Sequence, residues 1–274
     1  MLWIRNAETV MNDLAENVSP VISVQNVSVA FGGEQRKQVT FDVSFEIRSG
    51  EFFALVGESG SGKSVTAMSL LGLLPRPSAQ VISGSAIFHG EDLLQMKPVE
   101  LRRIRGKKIS VIFQEPMQAL DPVRKIKSQL LEAIPETPKK EALEKIRELL
   151  QSAGFSDLER VLNGYPCEMS GGMLQRICIV MALVSEPDLI IADEPTTALD
   201  VTVQAAVLNL LKQMANQSQT AVLLITHNMG LVAQYTDRVA VMFNGRIVET
   251  GTSRNVILHP QADYTKKLIA AIPQ

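Results

Sequence analysis

The segment Gly57-Glu58-Ser59-Gly60-Ser61-Gly62-Lys63-Ser64 constrains what this chain can fold into more than any other. It has the spacing Gly-x-x-x-x-Gly-Lys-Ser, follows the apolar run Phe52 to Val56, and opens a stretch from Lys63 to Leu74 with helical periodicity. Between a strand and a helix, glycines let the backbone curl so that its N–H groups point at phosphate oxygens, and the helix N-terminus adds partial positive charge. In that arrangement Lys63 reaches the β- and γ-phosphates of a nucleotide and the Ser64 hydroxyl ligates Mg²⁺. The plain alternative is a Gly/Ser turn that closes a strand. From average composition, however, the pattern arises by chance in about one chain of this length in a hundred, and the strand-before, helix-after setting narrows that further.

A strand that feeds such a loop belongs to a sheet covered on both faces, and further apolar runs supply its neighbours: Val111 to Phe113, Leu189 to Ala192, Ala221 to Ile225 and Val239 to Phe243. Helical patterns alternate with them, notably Val201 to Met214, so the expected frame is α/β. Val21 to Val29 and Phe41 to Ile47 read differently. In the second, Phe41, Val43, Phe45 and Ile47 alternate with polar residues, which predicts antiparallel strands near an edge. Between Glu115 and Val184 the character is helical; Leu143, Ile146, Leu149 and Leu150 share a helix face, with Glu141 four residues before Lys145. Asn244-Gly245 predicts a two-residue hairpin.

With 274 residues, 46% of them apolar, the chain can bury a substantial core without disulfides. Its mean hydropathy of +0.11 raises the question of a membrane span, yet the longest apolar run, Ile177 to Val184, is far short of the roughly 20 residues a spanning helix needs. A formal charge of −2 gives no global pull toward nucleic acid or acidic lipid. Cys167 and Cys178 form no CxxC pair, which fits a reducing cytoplasm.

A second acidic centre lies at a strand end: Asp193-Glu194-Pro195 after Leu189 to Ala192. An Asp there, beside a phosphate loop, can hold Mg²⁺, and Glu194 is placed to orient and deprotonate an attacking water. Alone, such a pair would more often cap a helix. The phosphate loop beside it favours the nucleotide reading.

Together with motifs elsewhere in the chain, these residues resemble the ATP-binding subunit of ATP-binding cassette (ABC) transporters, over about Val21 to Ile272. The family's LSGGQ signature is similar to Met169-Ser170-Gly171-Gly172-Met173, with Gln175-Arg176 just after, and Ser170 precedes Asp193 by 23 positions. Asp193 to Asp200 resembles the acidic strand end and D-loop, Gln114 the Q-loop glutamine, His227 the switch histidine, and Phe31 the aromatic that stacks on adenine. Singly, Ser170 is an ordinary N-cap, His227 a strand-end residue, Gln114 a solvated loop residue and Phe31 a strand aromatic. Their shared order is what carries the resemblance. It implies a phosphate-loop NTPase fold of the cassette type, with a mixed sheet, an N-terminal antiparallel β subdomain and a helical insertion at about 115–184. Around this cassette, 21–250, it implies an N-terminal extension at 1–20 and a C-terminal extension at 251–274.

The resemblance further implies an ATPase using ATP and Mg²⁺. Glu194, His227, Gln114 and Lys63 would act in catalysis and Ser64, Gln114 and Asp193 would stand around the metal. Phe31, Gly57, Glu58, Ser59, Gly60, Ser61, Gly62, Lys63 and Ser64 would hold one nucleotide, while Ser170, Gly171, Gly172 and Asp200 would complete a site across a head-to-tail dimer. Implied partners are a second ATPase subunit, identical or not, two transmembrane permease subunits and, indirectly, an extracytoplasmic binding protein, with this chain on the cytoplasmic face of the membrane. Ser-Gly-Gly-Met, Phe113 to Met117 with Leu120-Asp121-Pro122, and the tail from Gly251-Thr252 through His259-Pro260 to Tyr264-Thr265 and Leu268 resemble the peptide and nickel import branch. Leu174, where peptide importers usually carry Arg, leaves nickel or a metal chelate as the alternative to short peptides. Ala262-Asp263 departs from the branch's His-Pro before Tyr264, and the lack of any cysteine after Cys178 predicts no iron–sulfur tail. The cluster Arg102, Arg103, Arg105, Lys107 and Lys108 is expected to be a solvated face, and no nucleic-acid partner is expected; a soluble ATPase of this class acting on nucleic acid or ribosomes is the third reading.

Overall fold

A computed structural model describes residues 19–32, 36–75, 77–196 and 200–271, apart from the side chains of residues 118, 201 and 202. Most of the expected 1–20 extension and residues 197–199 of the D-loop lie outside the described residues. In chain order the elements are β1 (Ile22–Phe31), β2 (Lys37–Ile47), β3 (Phe52–Val56), α1 (Lys63–Leu70), β4 (Ala79–Phe88), β5 (Glu91–Asp92), α2 (Pro98–Ile104) and β6 (Ile109–Ile112). Next come α3 (Pro116–Ala119), α4 (Ile126–Glu132), α5 (Lys139–Ser152), α6 (Leu158–Asn163), a 3₁₀ turn at Pro166–Glu168 and α7 (Gly171–Leu183). The remainder is β7 (Leu189–Asp193), α8 (Val201–Ser218), β8 (Ala221–Thr226), α9 (Met229–Tyr235), β9 (Arg238–Phe243), β10 (Arg246–Thr252), α10 (Ser253–Leu258) and α11 (Asp263–Ala270).

The apolar runs form one mixed sheet in the order β10-β9-β3-β8-β7-β6. β9, β3, β8, β7 and β6 are parallel, and β10 returns antiparallel to β9 through Asn244-Gly245. Both turn residues have positive φ, 46° and 79°, as a two-residue hairpin requires. Each central strand is buried on both faces because successive side chains enter different cores. Phe52, Ile190 and Leu224 pack toward α7 and α8. Phe53, Ile191 and Ile225 pack toward α1 and the second sheet, β2-β1-β4-β5. A smaller cluster, including Val56, Val241 and Val256, seats α9, α10 and α11 against β3 and β9 of the main sheet.

The structure departs from the sequence reading in several places. α1 stops at Leu70, not Leu74, because the chain turns at Gly72, whose N–H bonds back to Ser69. α8 continues to Ser218, four residues past Met214, and ends on Gln219 in the left-handed region. β4 had no counterpart in the sequence pattern. Its partner β1 changes register between Gln25 and Ser28, opposite Ser83 to Ser85, so the alternation that marks a strand is interrupted there. Lys145 pairs with Glu186 at 2.7 Å, reaching from α5 to the end of α7 in place of a bond to Glu141. The basic cluster is a solvated face as expected, with Arg102, Arg103 and Lys108 exposed, and part of it also makes contacts. Arg105 donates to the Leu71 carbonyl at 2.8 Å, Lys107 pairs with Glu136, and Lys108 pairs with Asp188 at 3.3 Å.

Candidate active site

Register in the parallel sheet decides which residues meet. Val56 on β3 pairs with Thr226 on β8, and Ile225 pairs with Asp193 on β7. Gly57, His227 and Glu194 are therefore each the next residue beyond a paired strand end. Ligands of open parallel sheets gather at these carboxyl ends. Ile112 on β6 pairs with Ala192, which carries Gln114 to the same end of the sheet.

Between β3 and α1 the chain wraps around the Lys63 side chain. Its ammonium is buried and donates to the Gly57 carbonyl at 2.8 Å and the Glu58 carbonyl at 2.9 Å. Gly57 has no room for a side chain, because a Cβ there would lie 2.1 Å from the Met242 carbonyl oxygen of β9. Gly60 turns at φ +81°, where a Cβ would be strained. The hairpin helps hold the loop from outside, with the Gly245 N–H donating to the Ser61 carbonyl at 3.0 Å.

Opposite the loop, the Ser64 hydroxyl donates to Asp193 at 2.9 Å. Burial pushes the Asp193 carboxyl above its ordinary value; the Ser64 bond opposes that, the Glu194 charge adds to it and the Lys63 charge pulls the other way. Burial also lowers the Lys63 ammonium, against the attraction of Glu194 and Asp193. Glu194 takes up a left-handed backbone, φ 44°, which costs a non-glycine residue about 1–2 kcal/mol. Its N–H donates to the Ile225 carbonyl at 2.9 Å, and its carboxylate lies 3.3 Å from His227 Nδ1. Strain of this kind gathers at functional sites. Glu194 is mostly covered, whereas His227 is open to solvent on one side.

The structure thus brings together Gly57 to Ser64, Asp193, Glu194 and His227. Gln114 lies exposed in the loop after β6. Phe31 ends β1, partly buried against the core shared by the two sheets. Ser170 caps α7, accepting from the Met173 N–H at 3.4 Å, and Gly172 approaches α8, where a Cβ would meet Val203 at 3.0 Å. Asp200 caps α8 by accepting from the Val203 N–H at 3.0 Å. Two residues that the sequence analysis names only as parts of motifs make contacts near these segments. Arg176 in α7 donates to the Ala153 carbonyl at 3.1 Å and covers the Phe155 ring, tying the signature helix to the end of α5. Tyr264 in α11 accepts a hydrogen bond from the Glu58 N–H at 2.9 Å. Neither contact has a local sequence signal, since each joins distant parts of the chain.

A glycine-rich loop between a parallel strand and a helix, facing an Asp-Glu pair on the same sheet, defines a nucleotide-binding α/β ATPase. Residues 40–197 match the ABC transporter family. The chain is 48% identical to the dipeptide transport ATP-binding protein DppD of Bacillus subtilis (strain 168) over 260 residues, covering 93% of this chain and 77% of the relative. It is 42% identical to the oligopeptide transport ATP-binding protein OppD of the same organism over 262 residues, covering 93% and 73%. A dimeric ATP-binding cassette solved in a post-hydrolysis state with ADP and Pi has the same fold, with a TM-score of 0.72 and 26% identity over 85% of this chain and 99% of that one. This chain belongs to the ABC transporter family and is an ATPase of that family.

Proposed function

We propose that the chain couples ATP hydrolysis to the import of short peptides through separate membrane subunits. The convergence of the phosphate loop, Asp193, Glu194 and His227 at adjacent strand ends supports the chemistry. The dipeptide and oligopeptide relatives support the cargo. Among the described residues no helix is long and apolar enough to cross a membrane.

The loop N–H groups and Lys63 bind the β- and γ-phosphates, with Lys63 already oriented by two carbonyls. Ser64 and Asp193 present hard oxygen donors side by side, the donor set Mg²⁺ prefers, and phosphate oxygens and water would complete it. Bound there, Mg²⁺ would offset charge on the transferring phosphoryl group. Glu194 accepts the proton of the attacking water, and His227 holds that carboxylate in place. Gln114 reaches the same sheet end from β6 and Phe31 offers a face to the adenine. Ser170, Gly171, Gly172 and Asp200 present their helix N-termini to the nucleotide of a second cassette, identical or not, packed head to tail. Two transmembrane permease subunits receive the resulting motion from this chain at the cytoplasmic face of the membrane, and an extracytoplasmic binding protein delivers the peptide.

The experiment is uptake in cells lacking the chain. Labelled dipeptide uptake is expected to fall to background and to return with the native chain but not with Glu194→Gln. Unchanged peptide uptake together with lost nickel uptake would assign the alternative cargo. ATPase activity stimulated by DNA or ribosomes would support the third reading.

A further inference from the structure

The C-terminal segment reaches the phosphate loop at one atom. Glu249 of β10 accepts hydrogen bonds from the backbone N–H groups of Gln261 at 2.8 Å and Ala262 at 3.0 Å, which fastens the start of α11 to the sheet. Tyr264, in the first turn of α11, stacks on Phe243 with ring centroids 4.1 Å apart and planes at 27°. The stack aims the phenol at the Glu58 N–H, which donates to it at 2.9 Å.

That N–H belongs to the same peptide plane as the Gly57 carbonyl. In a trans peptide the two groups point to opposite sides. The outward N–H is held by Tyr264, and the inward carbonyl accepts from Lys63 Nζ at 2.8 Å. Glycine at position 57 makes rotation of this plane easy unless something outside resists it. Other outside contacts touch the loop at different atoms: the Met242 carbonyl lies beside Gly57, the Gly245 N–H donates to the Ser61 carbonyl, and Asp193 accepts from the Ser64 hydroxyl.

We infer that Tyr264 is a positioning residue for Lys63. Its hydroxyl fixes the Gly57–Glu58 peptide plane, and through that plane it sets where the ammonium stands when it meets the nucleotide phosphates. The C-terminal segment is then part of the ATP site and not only a tail packed on the sheet. The inference rests on Gly57 to Ser64 being the phosphate site, so its test includes a variant of that site.

Tyr264→Phe keeps the ring stack and removes only the hydroxyl. The full chain, as wild type, Tyr264→Phe, Lys63→Met and the double variant, is titrated with trinitrophenyl-ATP, whose aromatic label keeps weakened binding measurable. Loss of one hydrogen bond acting through Lys63 is expected to weaken binding about fivefold when Lys63 is present, and less than about 1.5-fold in the Lys63→Met background. Amide exchange at Glu58 is expected to accelerate in Tyr264→Phe. An equal loss in both backgrounds, or no loss in either, would overturn the role of Tyr264, whatever happens to Tm. A Lys63→Met chain that binds as tightly as wild type would instead overturn the phosphate-site reading.

Discussion

Replacing Gly57 by Ala tests whether the loop is shaped by the strand behind it. The new Cβ would stand 2.1 Å from the Met242 carbonyl oxygen, with Ser61 Oγ at 2.9 Å. Real Cβ atoms keep at least 3.0 Å from such neighbours, so about 0.9 Å of movement must be found. The serine hydroxyl can rotate away. The carbonyl cannot, because β9 is paired to β3 on one side and β10 on the other. Overpacking against fixed backbone falls at the upper end of its usual cost, about 3 kcal/mol. At about 2–4 °C per kcal/mol, Tm should fall by roughly 6–12 °C in a thermal melt followed by circular dichroism. Gly60→Ala is the control. A Cβ there meets nothing within 4 Å, and only its φ of +81° is penalised, by about 1–2 kcal/mol. The reasoning is refuted if Gly57→Ala melts like wild type, or if Gly60→Ala is the more damaging of the two.

Asp193→Asn keeps an acceptor for Ser64 but loses the charge, so the Mg²⁺ concentration for half-maximal ATP turnover should rise by at least about tenfold; an unchanged Mg²⁺ requirement would remove Asp193 from the metal site. Burial pushes the Cys178 thiol up to about 12, while Cys167 is exposed. A maleimide at neutral pH should therefore add once to the native chain, at Cys167, and twice in denaturant, as read by intact mass. Burial raises the Glu249 carboxyl, but the nearby Thr265 hydroxyl, the Gln261 and Ala262 N–H groups and the Lys266 charge outweigh it and hold the group below 4.5. Its contribution to docking of α11 is thus complete above about pH 4.5 and lost as pH falls through the lower folded value. Amide exchange over residues 263–270, corrected for intrinsic rates, should accelerate in that window, and at neutral pH in Glu249→Gln.

Much of the main sheet was legible because its strands are buried on both faces and so read as unbroken apolar runs, with Phe52 to Val56 and Ala221 to Ile225 as examples. The phosphate loop was legible because its chemistry is local: eight consecutive residues carry the turn, the cation and the hydroxyl. What was missed depends on long-range geometry. β4 was hidden by the register change opposite Gln25 to Ser28. α2 was hidden by its shortness, since seven residues between Pro98 and Ile104 carry little periodicity. The bond from Glu58 to Tyr264 spans 206 positions, and no window of sequence contains both ends. Lys145 had two acidic partners within reach, and only the fold places Glu186 beside it.

The most direct test of the account is a single substitution at the strained strand end. Glu194→Gln keeps the size of the side chain beside His227 and removes its capacity to accept a proton. ATP affinity and turnover are measured on the same preparation. ATP binding is expected within about threefold of wild type and turnover lower by at least about a hundredfold; turnover at the wild-type rate would contradict the role of Glu194 as the base.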